Sequence, residues 1–368
     1  MRIGVVAPPW IPVPAPGYGG IEAVVADTAG ELARRGHDVA LVAAPGSDVP
    51  GVRTMTPLPR VPEQIGLTAD EWAHLVPSLA LLADREVVID HSGPLGALVM
   101  GQASPPALHV VHGPLGDAER ALYRTVCHGA PRLRLVAISR SQQGSGPGLP
   151  WAGVAHNGLD VDALPVGGGR GGYLAFLGRI TADKGVAEAI AIAREAGMPL
   201  RIAAKCREPA EQEYFARAVE PLIGDDVTWL GEVDQADKIA LLADAAALVF
   251  PIRWPEPFGM VMIESMAVGT PVLATRWGSV AEVVRDGVTG IVRDQPEELA
   301  REVGRALELD RAACREHVRE HFSLARMTDR HERLLAAACA SGTERRRRSR
   351  FLPSEPPIGG LPRGSGSR

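Results

Sequence analysis

Strand-length apolar runs alternate with stretches of helical periodicity over nearly the whole chain, the pattern of α/β domains built on parallel sheets. The first unit has a strand over 2–7 and a loop with Gly17, Gly19 and Gly20. A helix follows, with Ile21, Val24, Val25, Thr28, Ala29 and Leu32 on one face. Gly36 stops that helix before a strand over 38–44. Further strands are expected at 86–89, 107–111, 133–138 and 151–155. The run Val166-Gly-Gly-Gly-Arg-Gly-Gly172 suits neither helix nor strand and predicts a flexible linker. Beyond it strands at 173–177, 200–204, 227–230, 247–251, 271–274 and 290–292 alternate with helices at 183–196, 210–222, 234–245, from about 259, and near 279–285. Helices at 296–308, 311–321 and 324–340 close the pattern.

The expected fold class is therefore α/β, with two Rossmann-like domains whose parallel sheets face a central cleft. The divisions are 1–165, a linker at 166–172, 173–322, a final helix over 323–340 and a tail over 341–368. A chain of 368 residues, 46% of them hydrophobic, has room for two cores. In such sheets ligands bind beyond the carboxyl ends of the strands, so the chemistry is expected in the loops that follow strands.

A net charge of −5 leaves no basic field to hold nucleic acid. No apolar run approaches the roughly 18 to 20 residues of a membrane span, and the N-terminus lacks a signal-peptide pattern, so a cytoplasmic protein is expected. Cys127, Cys206, Cys314 and Cys339 are far apart and form no metal-ligand or disulfide framework. From Glu344 onward the chain is rich in arginine, proline, glycine and serine and reads as a disordered tail. Nothing in the sequence sets the oligomeric state.

The densest group of chemical residues is Arg253-Trp-Pro-Glu-Pro-Phe-Gly-Met-Val-Met-Ile-Glu264, after the strand at 247–251. Glu256 precedes a turn of Pro257, Phe258 and Gly259 that opens a helix at Met260. Amides at a helix start suit a phosphate or a sugar hydroxyl, and Glu256 and Glu264 can each accept two hydroxyls. The plainer reading makes Glu256 a loop carboxylate and Glu264 a surface residue, although Val261, Met262, Ile263, Met266 and Val268 around Glu264 argue that it is half buried. A second group, Leu177-Gly-Arg-Ile-Thr-Ala-Asp-Lys-Gly185, puts Arg179 and Lys184 in one loop, where two cations can converge on a diphosphate. Only Lys184, Lys205 and Lys238 are lysines, and Lys238 reads as an ordinary residue of an exposed helix. In the first half Gly19 and Gly20 precede a helix, and His91 and His112 end strands on one side, with His112 the better candidate for touching a substrate. Asp160 and Asp162 form a D-x-D pattern whose better reading is a capped turn, so no metal site and no cofactor are expected.

Taken in order, Gly19-Gly-Ile-Glu22, His112-Gly-Pro114, Asn157-Gly-Leu-Asp160, Gly178-Arg-x₄-Lys184 and Glu256-Pro-Phe-Gly-x₄-Glu264 resemble the glycosyltransferases of family 4. The likeness is greatest to bacterial members carrying the stretch seen here as Trp254-Pro-Glu-Pro-Phe-Gly259. The resemblance implies the two-domain GT-B fold, a nucleotide-sugar donor held mainly by the second domain, an acceptor held mainly by the first, and retention of anomeric configuration. It implies that Glu264 holds the donor ribose, while Glu256 and the amides of Phe258, Gly259 and Met260 hold the transferred sugar. It further implies that Arg179 and Lys184 neutralise the diphosphate, Gly19 and Gly20 approach it from the other domain, His112 contacts the sugar and Lys205 lies near the base. His156 stands where the family often has proline, a departure that bears on domain closure. An epimerase or phosphorylase on the same fold, and a non-catalytic sugar-nucleotide-binding protein, remain open on these residues.

Overall fold

The computed structural model describes residues 1–351 apart from Tyr18 and Pro131, with side chains to residue 340. Seven parallel strands form the first sheet: β1 (Arg2–Val6), β2 (Asp38–Val42), β3 (Arg53–Met55), β4 (Val87–Asp90), β5 (Ala107–Val111), β6 (Leu133–Ala137) and β7 (Trp151–Val154), in the order β3-β2-β1-β4-β5-β6-β7. Its helices are α1 (Gly20–Arg34), α2 (Thr68–Leu81), α3 (Pro94–Met100), α4 (Asp117–Gly129) and α5 (Arg140–Ser145). Six more strands form the second sheet: β8 (Leu174–Arg179), β9 (Leu200–Lys205), β10 (Val227–Gly231), β11 (Ala247–Phe250), β12 (Val272–Thr275) and β13 (Gly290–Arg293), in the order β10-β9-β8-β11-β12-β13. With it go α6 (Val186–Glu195), α7 (Pro209–Tyr214), α8 (Gln235–Asp244), α9 (Met260–Ala267), α10 (Val280–Val283), α11 (Pro296–Leu307), α12 (Arg311–His321) and α13 (Leu324–Phe351).

Helices cover both faces of each sheet, so the central strands are buried on both sides and read as unbroken apolar runs. All four residues of β4 and of β11 are buried. The edge strand β3 and helices α2 to α5 have no counterpart in the sequence reading. Of these helices α2 holds Pro77 and exposes Trp72 and Val76, α4 is amphipathic but short of large apolar residues and buries only Tyr123 and Val126, and α5 is Arg-Ser-Gln-Gln-Gly-Ser. The helix expected over 210–222 is α7 followed by a wider π turn and a 3-10 turn, because Pro221 cannot continue an α-helix.

Two expectations need correction. The glycine run after residue 165 is not a loose tether. The amides of Gly167, Gly169 and Gly171 donate to the carbonyls of Val268, Ala243 and Asp244. From α12 the Arg311 guanidinium donates to the carbonyls of Gly167, Ala245 and Ala243. Arg315 donates to those of Val161, Leu164 and Ala267. The run is glycine because it lies flat along the second sheet's helices. The last helix also passes its expected end at 340 and continues to Phe351, since glutamate and arginine are good helix formers. Residues 352–368, the rest of the expected tail, lie outside the described residues.

Helix α13 lies against α1, where Arg35 pairs with Asp329 and Glu332 at 2.8 Å each and His37 meets Glu332. No helix among the described residues is long and apolar enough to cross a membrane.

Loss of the Arg311 fork strands several carbonyls, so Arg311→Met should lower stability by about 3 kcal/mol in urea unfolding and expose 166–172 to proteolysis. A second test uses Asp27 on α1, whose carboxyl is pushed up to about 6 by burial and by the facing Asp160. The folded state holds this proton more tightly than the unfolded chain, so the group costs stability increasingly as pH rises through about 4 to 6. Asp27→Asn should raise stability at pH 7 by about 1 to 2 kcal/mol and change little at pH 4, as read by thermal unfolding at both values.

Candidate active site

Strand order reverses between β1 and β4 in one sheet and between β8 and β11 in the other, and the crevices at those points receive the loops singled out above. In the second sheet the loops after β8 and β11 are pressed together. Gly185 is left-handed, with φ +75°, and a Cβ there would lie 2.2 Å from the Pro251 carbonyl. The Arg253 amide donates to the Asp183 carbonyl at 2.8 Å. This contact brings Lys184 Nζ to 2.6 Å from Glu256 Oε2 and 4.4 Å from the Trp254 ring centroid. A lysine at a helix start opposes the helix dipole, and the carboxylate and the indole face offset that cost.

The Glu256 loop is fixed from its other side by the turn at Gly278 and Ser279. Gly278 has φ +56°, and a Cβ there would sit 2.3 Å from the Glu256 carbonyl. The Ser279 amide donates to that carbonyl and its hydroxyl donates to the Phe258 carbonyl, both at 2.9 Å. Phe258 is buried against His156 and Phe322, and Gly259 turns the chain into α9. Among the described residues nothing accepts from the amides of Phe258, Gly259 or Met260.

Glu264, four residues into α9, pairs with Lys238 of α8 at 2.6 Å. Lys238 is thus not the ordinary exposed residue the sequence reading makes it. Each of the three lysines ends in an ion pair beside this sheet, Lys205 with Glu208 at 3.4 Å. Arg179 lies beside Lys205 in the β8–β9 register and reaches toward Glu211, 3.6 Å away. Arg179 and Lys184, expected to converge, therefore end in separate pairs.

In the first sheet a cavity of about 330 Å³ opens beyond β1 and β4. His91 and His112 both line it, joined at 2.8 Å through Nδ1 and Nε2 with their rings stacked. Burial and the neighbouring imidazoles His109 and His331 push His112 down to about 3; burial and its own histidine neighbours, His112 foremost, hold His91 well below its ordinary range. Both are neutral near pH 7. Beneath them lies a network the sequence reading missed: His109 meets Asp90 at 2.6 Å and the Tyr123 hydroxyl at 3.0 Å, and the Ser92 amide donates to Asp90. Asp90 and His109 are register partners, a polar pair inside apolar strands that only strand pairing reveals. Glu22 also lines the cavity, 5% exposed, and burial raises its carboxyl above the ordinary value. Gly19 is crowded by Ala15 and Glu22, whereas Gly20 faces open space.

Asp160 accepts from the amides of Asp162 and Ala163, and Asp162 pairs with Arg319 at 2.8 Å. Among the described residues no cluster of His, Cys, Asp and Glu has the arrangement to hold a metal.

Two family models divide the chain between them: Glycosyltransferase Family 4 matches residues 18–162 and Glycosyl transferases group 1 matches residues 169–321. The chain belongs to the family 4 glycosyltransferases. A glycogen synthase of Mycobacterium tuberculosis is 33% identical over 156 residues, 40% of this chain and 37% of that protein, so the match spans little more than a third of that relative. A phosphatidyl-myo-inositol mannosyltransferase of Mycobacterium leprae is 26% identical over 322 residues, 79% of this chain and 82% of that one. Anabaena HepE, solved in complex with UDP-glucose, shares the fold with a TM-score of 0.70 and 19% identity, over 92% of this chain and 100% of that one.

In this family 4 glycosyltransferase the two sheets also meet through Glu282 of α10. Its carboxylate accepts from the amides of Arg140 and Ser141 at the start of α5 and is bonded to His156. Burial alone would raise this carboxyl, but the His156 bond and the two amides outweigh it and hold it below 4.5. Beside this latch, Glu256 and Pro257 face Gln142 and Ser145 across a gap of only about 40 Å³, room for water and not for a hexose. Glu282→Ala should widen the cleft, read as a larger radius of gyration in solution scattering at pH 7. Because the folded-state value is depressed, the latch is intact at and above the ordinary carboxylate range and is lost only as pH falls through the lowered folded-state value, so strong acid should widen the wild type and leave the variant unchanged.

Proposed function

We propose that the chain is a retaining glycosyltransferase that moves a hexose from a uridine diphosphate sugar to a small-molecule or glycan acceptor. The observation that carries this reading is the Lys184–Glu256 pair beside the unpaired amides of Phe258, Gly259 and Met260. In this reading a cation and three donors meet the charge that a diphosphate gains, next to a carboxylate that can accept sugar hydroxyls. HepE, with UDP-glucose bound in the same fold, supports the choice of donor.

In this reading Glu264 accepts the ribose hydroxyls, oriented by Lys238, and Lys205 lies toward the base. Arg179 and Lys184 stabilise the diphosphate as the bond from its oxygen to the sugar carbon breaks. Gly20 leaves room for the phosphates on the other wall. The acceptor hydroxyl attacks the same face of the oxocarbenium-like sugar and passes its proton to the departing phosphate oxygen. Neutral His112, with Nε2 engaged by His91, has Nδ1 left to bond a sugar hydroxyl and acts without carrying charge. The positive field comes from the chain itself, so transfer should persist in EDTA.

Calorimetry with UDP and UDP-glucose, paired with turnover, tests the assignment. Glu264→Gln should weaken both ligands by similar factors, about tenfold for lost charge-assisted bonds of about 1.5 kcal/mol. Glu256→Gln should leave UDP affinity unchanged or raise it, because it frees Lys184, while kcat falls. Equal loss of UDP affinity in both variants, or full activity in both, would overturn the assignment.

A further inference from the structure

The cavity beyond β1 and β4 has an uneven electrical character. Glu22 and Glu119 both line it, and no arginine or lysine does so among the described residues. Glu22 is 95% buried yet has no cation and no side-chain partner among the described residues. Arg120, next to Glu119 on α4, is turned to the carbonyls of Leu115 and Ser145 and to Asp117. Two of the cavity's three histidines, His91 and His112, are neutral, and the third, His109, is already paired with the Asp90 carboxylate at 2.6 Å. Apart from Ser92 and Tyr123 the rest of the lining is apolar, and it includes Trp10, Ile11 and the exposed Ile65.

We propose that this cavity, taken as the acceptor side of the transferase described above, selects an acceptor with an apolar body and a hydroxyl- or amine-bearing edge. It excludes one that presents a phosphate or carboxylate there. Glu22 and Glu119 receive the donors of that edge, and Trp10 and Ile65 cover the body. An anionic group would be buried beside two carboxylates with no arginine or lysine in the lining among the described residues, whereas a hydroxyl or ammonium donor gives Glu22 a partner besides its own amide. The proposal rests on the transferase reading for the word acceptor, but the charge selection is a property of the cavity.

The test uses four matched probes on the full chain: phenyl β-D-glucoside, its 6-amino-6-deoxy analogue, its 6-phosphate and phenyl β-D-glucuronide. Affinity is measured by calorimetry without nucleotide, then repeated with UDP present. The neutral and amino probes should bind, and each anionic probe should bind at least about tenfold more weakly. Glu119→Lys should reverse that order for the 6-phosphate, and Glu119→Gln should narrow the gap while keeping the fold, with UDP affinity as the check on both variants. Anionic probes that bind as well as the neutral one, a preference unmoved by Glu119→Lys, or no binding by any probe would overturn the proposal. Failure to bind UDP, with the probe preference intact, would count against the transferase reading alone.

Discussion

The site depends on one contact between loops: the Asp183–Gly185 segment lies against Pro251–Arg253 so closely that Gly185 has no room for a side chain. The pairing of Lys184 with Glu256 follows from this contact. It sets Lys184 over Trp254 and onto Glu256, and the turn at Gly278 and Ser279 then holds the Glu256 loop from behind. The result is a carboxylate and an ammonium 2.6 Å apart with little exposure, on two loops tied to each other and to the Gly278–Ser279 turn by backbone contacts. Fixed charges of this kind need no reorganisation when charge develops beside them.

The two walls of the cleft are electrically different. On the second sheet, cations and carboxylates alternate in pairs: Lys184 with Glu256, Lys238 with Glu264, Arg179 with Glu211 and Lys205 with Glu208. A ligand there meets preformed partners of both signs. On the first sheet, neutral histidines lie above a buried Asp90–His109–Tyr123 network, with carboxylates and apolar side chains around them. Glu282 joins the two walls by accepting backbone amides across the cleft, so a residue of one domain caps a short helix of the other.

Much of the fold was legible because parallel strands buried on both faces must be apolar throughout, and glycine must follow helices that end in tight turns. The strands at 107–111 and the helix at 311–321 match the structure residue for residue. Helices α2 and α5 escaped because they lie on the surface and need only a few buried contacts, which leaves little periodicity to read, whereas α4 is amphipathic and its pattern was there to be found. The glycine run after 165 misled for a related reason. Composition signals freedom, but the same small residues permit close packing along a surface.

Residue types and local spacing placed Arg179, Lys184, Glu256, Glu264 and His112 at strand ends and helix starts, because those positions depend on short-range backbone geometry. Which of them meet was decided only by tertiary structure. Lys184 finds Glu256, 72 residues away, and Glu264 finds Lys238; His112 finds His91, and His156 finds Glu282 across the cleft. The β8–β11 and β1–β4 crevices bring these partners together, and strand order is fixed by the packing of both sheets as wholes. No local pattern encodes that order, so an exposed-looking lysine and a lone strand-end histidine acquire their roles only when the chain is folded.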